Sequence, residues 1–226
     1  MIKLRANRIY FSLIMGVIVI TLSCNSSATK QNPPVSEKRT EEYSELKLNP
    51  SEYVQWFKSS ENHLRKTIHS NEMHYTLEYC SPEFVAIQLL QKNEITQAEL
   101  DTALKETEGL LQFKLKIEDT GSGREFLKNG TPSDEEYEKR VKYFAFEMQR
   151  DIYLLNDTGD SIPCAMYHFE RSYNVSPASV FLLGFAGAGQ ENKMELIVNE
   201  RIFANRELRF VFTADELKNI PQLKTL

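Results

Sequence analysis

Cysteine, glycine, proline and tryptophan are all scarce, at 3, 9, 8 and 1 in 226 residues. Three cysteines are too few for a disulfide-dense scaffold. With no CxxC pair, no HExxH and only four histidines, no metal-ligand spacing stands out either, so neither a metal nor any other cofactor is expected. Little glycine and proline argues against a fibrous or low-complexity chain. Positive charge is also short: 27 Lys+Arg face 32 Asp+Glu, a net −5, so nothing favours a nucleic-acid backbone and no nucleic-acid partner is expected. No apolar run reaches the roughly 20 residues of a confident membrane span. What the chain does have is core material, 41% hydrophobic with 13 Phe and 10 Tyr, enough for one ordinary soluble domain.

The N-terminus reads differently from the rest. Lys3, Arg5 and Arg8 precede an apolar run from Ile9 to Leu22, interrupted only by Ser12, Gly16 and Thr21, which is the charge-then-apolar order of an export signal. The stretch ITLSC ending at Cys24 resembles the bacterial lipoprotein signal, in which a small residue precedes a cysteine that is acylated and becomes the mature N-terminus. The resemblance is confined to residues 1–24. It implies a signal peptide at 1–23, a Cys24 carrying several acyl chains, palmitate among them, and a protein held on a membrane without spanning it. It also implies the bacterial cell envelope, with the periplasmic or surface side left open. Cleavage before Cys24 removes three basic residues and no acidic one, taking the net charge from −5 to −8. Residues 25–50 are polar, with Pro33-Pro34 and alternating charges, so 24–50 reads as lipidated cysteine plus tether and 51–226 as the globular body.

If lipid consumes Cys24, the other two cysteines form an even pair in an oxidising space. A Cys80–Cys164 disulfide is then expected, with two separately buried free thiols as the alternative. Closing so long a loop would contribute about 4 kcal/mol on the chain-entropy estimate.

Within the body, residues 51–64 show no clear period, whereas Met73, Tyr75, Leu77 and Tyr79 alternate with polar neighbours as a half-covered strand does. Ser81-Pro82 starts a helix, Thr96 and Glu99 have capping-box spacing ahead of a second, and Leu111 to Ile117 alternate as the cleanest strand. Ser133 and Glu136 open a helix expected to run to about Arg150, and Thr213 with Glu216 opens the last, ended by Pro221. Between them IYLLN, IPCAMYHFERSY, ASVFLLGFAG, KMELIVNERIF and LRFVFT read as closely spaced strands with no room for crossover helices. The expected fold is a single α+β domain with a mainly antiparallel sheet and three to four helices.

Candidate chemistry is sparse. Cys164, His168 and Glu170 share one face if the strand alternation holds, but no nearby residue completes a metal set or a nucleophile–base pair. His63, His69 and His74 share no short helical face, and the acids Asp134, Glu135, Glu136 and Glu138 suit the first turn of a helix. Tyr167, Phe169, Arg171 and Tyr173 fall on one strand face and form the candidate binding face, with Trp56 as a further aromatic; covering a sheet is the competing use of such residues. The function expected is non-catalytic binding or assembly by a membrane-anchored envelope lipoprotein, with an envelope protein or glycan as possible partner. The alternative is an envelope hydrolase whose polar groups meet only in the fold. A small-ligand role would require a deeper apolar cavity.

Overall fold

The computed structural model describes residues 43–173, 175–187 and 193–226. The export signal, Cys24 and residues 25–42 of the expected tether lie outside the described residues. In chain order the elements are β1 (Lys47–Leu48), α1 (Pro50–Lys58), β2 (Arg65–Ser70), β3 (Met73–Cys80), α2 (Pro82–Leu90), α3 (Gln97–Glu106), β4 (Leu110–Asp119) and α4 (Asp134–Lys142). Then follow β5 (Ile152–Leu155), β6 (Ser161–Pro163), β7 (Met166–Glu170), β8 (Ala178–Ala186), β9 (Lys193–Glu200), β10 (Arg206–Thr213), α5 (Ala214–Lys218) and β11 (Gln222–Leu223). The expected α+β class holds, with two antiparallel sheets instead of one and five α-helices among the described residues.

The larger sheet has the order β2-β3-β4-β8-β7 and the smaller β10-β9-β5-β6. Period-2 patterning turns one face of each inward. Tyr75 and Leu77 of β3, Phe113, Leu115 and Ile117 of β4, and Phe181, Leu183 and Phe185 of β8 meet Leu154, Leu196, Val198, Phe210 and Phe212 of the smaller sheet in one core. Phe169 stacks on Phe181 with ring centroids 4.6 Å apart. A second cluster is helical, built by Tyr53 and Phe57 of α1, Ala86 and Ile87 of α2, and Leu100 and Ala103 of α3; Tyr79 and Leu217 pack against both clusters.

Three departures from the sequence expectations have local causes. The helix opened by Ser133 stops at Lys142; Tyr143–Glu147 form a π-helical turn and Met148–Asp151 a 3₁₀ turn. Tyr143 is held by its hydroxyl to Asp151 (3.1 Å), and the Phe144 carbonyl accepts from the Tyr167 hydroxyl, so side chains replace part of the regular ladder. Second, IPCAMYHFE is two strands. The chain leaves the smaller sheet after Pro163 and enters the larger one at Met166, through Cys164-Ala165. Third, residues before 51 belong to the folded body: Asn49 and Glu52 form a reciprocal capping box around Pro50, and Lys47–Leu48 pairs in parallel with Gln222–Leu223.

The disulfide expectation is overturned: Cys80 and Cys164 are both free. Cys80 aligns with Gln112, Gln112 with Gly184, and Gly184 with Met166, so three inter-strand steps separate β3 from β7. At about 4.8 Å per step that is roughly 14 Å, against a disulfide Cα limit of about 7 Å. The faces disagree as well. Cys80 lies on the outer face with His74, Thr76 and Glu78, whereas Cys164 is a buried member of the core and its thiol donates to the Met166 carbonyl at 3.0 Å.

Candidate functional site

Where the helical cluster meets the sheets, a cleft of about 640 Å³ opens. Local sequence builds each side of it. Ser81 caps α2 by accepting from the Phe84 amide (3.2 Å), and Pro82 fixes the first helical residue, which puts Glu83 in the first turn at the cleft. Thr96 and Glu99 close a full capping box at the start of α3, whose Leu100 and Leu104 supply apolar lining. Leu111 and Met194 come from the sheets. The remaining side is the C-terminal segment: a Thr213–Glu216 capping box starts α5, presenting Leu217 and Lys218, and Ile220 to Leu223 complete the lining. That segment is held by backbone bonds from Gln222 to Leu46, Lys224 to Leu48 and Leu226 to Ile95, at 2.8, 2.8 and 3.0 Å.

Of the polar groups lining the cleft, Ser81 bonds the Tyr53 hydroxyl at 3.0 Å, Gln97 bonds Asp101 at 2.8 Å and Thr225 at 3.1 Å, and the Glu83 carboxylate also hydrogen-bonds the Tyr53 hydroxyl. Among the described residues neither Glu83 nor Lys218 has an ion-pair partner, and the Tyr79 hydroxyl has no hydrogen-bond partner. Burial, reinforced by the nearby Glu83 charge, pushes the Tyr79 and Tyr53 hydroxyls well above the ordinary phenol range, so both stay protonated donors. Apolar walls with a small number of polar groups is the usual make-up of a small-ligand site, and the volume is within the common range of about 300–1,000 Å³.

The expected binding face is placed otherwise. Tyr167 and Phe169 pack inward against the core. Arg171 donates to Glu125, which is 0% exposed, at 3.0 Å; Tyr137 donates to the same carboxylate at 3.0 Å, and the guanidinium lies over the Tyr137 and Tyr173 rings at 5.2 and 4.6 Å. Tyr173, at 70% exposure, is the one of the four that faces solvent. Trp56 sits on the helical cluster. His168 and Glu170 lie on the outer face of β7, away from the buried Cys164, so that trio does not converge. His69 and His74 do meet, opposite one another on β2 and β3 with ring centroids 3.9 Å apart, but His63 does not join them, and among the described residues no three His, Cys, Asp or Glu side chains form a metal-holding group. The acids of α4 serve their helix: Glu135 pairs with Lys139 at 2.8 Å and Glu136 with Arg140 at 3.3 Å.

Two more buried carboxylates organise loops. Glu200 accepts from the amides of Ile202, Phe203 and Ala204 and from the Tyr75 hydroxyl. Asp119 accepts from the Gly121 and Ser122 amides, the Ser122 hydroxyl and Asn129; burial works against its charge, but these bonds prevail and hold its carboxyl below the usual range. Sequence reasoning did not find the cleft, because its lining comes from helix starts and strand ends 144 positions apart, Tyr79 to Leu223. One signal was present: the Ser81-Pro82-Glu83 and Thr96–Glu99 helix starts locate the end of each helix that faces it.

No family model matches this sequence, and no curated protein matches it. Among solved structures, a protein of unknown function from Burkholderia pseudomallei is similar at 9% identity and a TM-score of 0.31, covering 77% of this chain and 94% of that one. A likeness at that level decides neither fold nor function.

Proposed function

We propose that this chain is a bacterial envelope lipoprotein, anchored through acylated Cys24, whose α+β domain is a non-catalytic binding module with its ligand seated in the cleft between α2–α3 and the C-terminal segment. The cleft carries this reading. Its apolar lining offers burial to a ligand body, and Lys218 and the protonated Tyr79 hydroxyl add polar groups that make no ion pair or hydrogen bond to another described side chain. The anchor rests on the charge-then-apolar leader and the ITLSC sequence.

Two measurements test it. The full chain, expressed in a bacterium fed an alkynyl palmitate analogue, should label and fractionate with membranes, and Cys24→Ala should do neither; equal labelling of the variant would refute the anchor. Irradiation of the full chain with an apolar benzyl diazirine should place adducts at Leu104, Leu111, Met194 and Leu217, and Leu104→Trp, which fills the space, should cut that labelling severalfold. Adducts scattered over the surface, unchanged by Leu104→Trp, would refute the cleft.

A further inference from the structure

Away from the cleft, the outer face of the β2–β3 hairpin has three rungs. Arg65 donates to Glu78 at 2.6 Å and the Thr67 and Thr76 hydroxyls bond at 3.1 Å, so the domain's own groups close two of them. The third sets His69 opposite His74, with ring centroids 3.9 Å apart and planes at 83°. Among the described residues no hydrogen bond or ion pair reaches either imidazole. The turn at Asn71-Glu72, where Asn71 takes φ 54°, and the continuation of the ladder into β4 fix this register, so the two rings stay opposed. His69 is exposed and His74 half-buried, which leaves the pair open to solvent.

We infer that His69 and His74 together bind one late first-row divalent metal ion, copper(II) most tightly, with water in its remaining positions. A neutral imidazole carries one nitrogen lone pair, and here no bond within the domain competes for it. At the usual metal–imidazole length of about 2.0–2.1 Å, two nitrogens on one ion lie roughly 3 Å apart. Rings already 3.9 Å apart come to that spacing when the exposed His69 ring turns about its χ angles, with no backbone movement. Imidazole suits copper, nickel and zinc, and affinity rises along the row to copper. The carboxylate aligned beside His74 is Glu118, which accepts from Lys116 at 2.6 Å, and the Arg206 guanidinium donates to the His69 carbonyl at 3.5 Å. With Glu118 committed, the domain supplies two ligands, which suits a square-planar ion better than the three or four protein ligands of zinc sites. Once bound, the ion clamps edge strand β2 to β3.

Titration of the full chain with copper(II) chloride, read by calorimetry and by electron paramagnetic resonance, tests the assignment. One ion per chain should bind with the hyperfine pattern of two nitrogens, and excess magnesium should not displace it. The second imidazole engages an ion already held by the first, so His69→Asn or His74→Asn alone should weaken binding at least about a hundredfold. His63→Asn and His168→Asn should leave it unchanged. The nitrogen count is read on the unaltered chain and so does not depend on how any variant folds. A one-nitrogen spectrum, an affinity that survives loss of either His69 or His74, or no binding at millimolar copper would each overturn the pair.

Discussion

Glu125 has no exposed surface, and its charge is tolerated because Arg171 and Tyr137 supply hydrogen bonds to both oxygens. Removing one member of such a pair strands the other. Arg171→Ala is therefore expected to lower stability by about 3 kcal/mol, read as a fall in the urea midpoint, whereas Arg171→Met with Glu125→Gln recovers most of it. An Arg171 whose loss left stability unchanged would show that the pair does not hold the domain. Asp119 gives a pH signature. Its folded carboxyl is held below the unfolded value of about 3.9, so its contribution is complete above that pH and is lost as pH falls through the lowered folded value. Asp119→Asn should cost about 2 kcal/mol at neutral pH and should flatten the acid limb of the stability curve, measured by denaturant unfolding between pH 6 and pH 2. An acid limb as steep as that of the native chain would remove Asp119 from this role. The partners at this scale were not legible: Arg171 lies 46 positions from Glu125, and alternation shows which face a residue takes but not what it meets there.

At the scale of elements, patterns that local physics decides were legible. The caps at Ser81, Thr96 and Thr213 start helices as read, and the alternation in β3, β4 and β8 sets their buried faces. Asn49 and Glu52 have the same capping-box spacing, but polar surroundings put Asn49 and Pro50 in the tether and started the body at Ser51. Strand β2 gave no signal, because Lys66, Ile68 and Ser70 are its inward residues and only one is apolar; Lys66 instead reaches Glu216 and lies 5.5 Å from the Phe212 ring centre. The break at Cys164-Ala165 was invisible since both flanking strands keep period 2. In β8, Gly184 is required by contact: a Cβ there would lie 2.9 Å from both Leu110 Cδ1 and Met166 Cβ. Gly184→Ala should cost about 2 kcal/mol by forcing β4 and β7 aside, seen as a lower denaturant midpoint with an unchanged m-value. A neutral result would mean that the Leu110 and Met166 side chains give way freely.

For the molecule as a whole, strand order is what the sequence withheld. Pairing β4 with β8 across 60 to 76 positions, and sending β6 and β7 to different sheets, are long-range choices that no local pattern encodes, and they also decide the fate of the cysteines. Unfolded without reductant in the presence of iodoacetamide, the chain should take up one carbamidomethyl group at Cys80 and one at Cys164 by mass spectrometry. In the folded protein at pH 8 both should react far more slowly, because burial pushes the Cys80 thiol up to about 12 and the Cys164 thiol up to about 11, leaving little thiolate. A single unreactive pair joined in the unfolded chain would contradict the topology.

The short parallel ladder between Lys47–Leu48 and Gln222–Leu223 has a mechanical consequence. Tension arriving along the chain from its N-terminal side passes the Tyr43–Trp56 ring contact and reaches β1, which grips the segment that lines the cleft. Leu48 and Leu223 of that ladder pack on the helical cluster, so a load on β1 is felt at the wall of the cleft before it reaches either sheet.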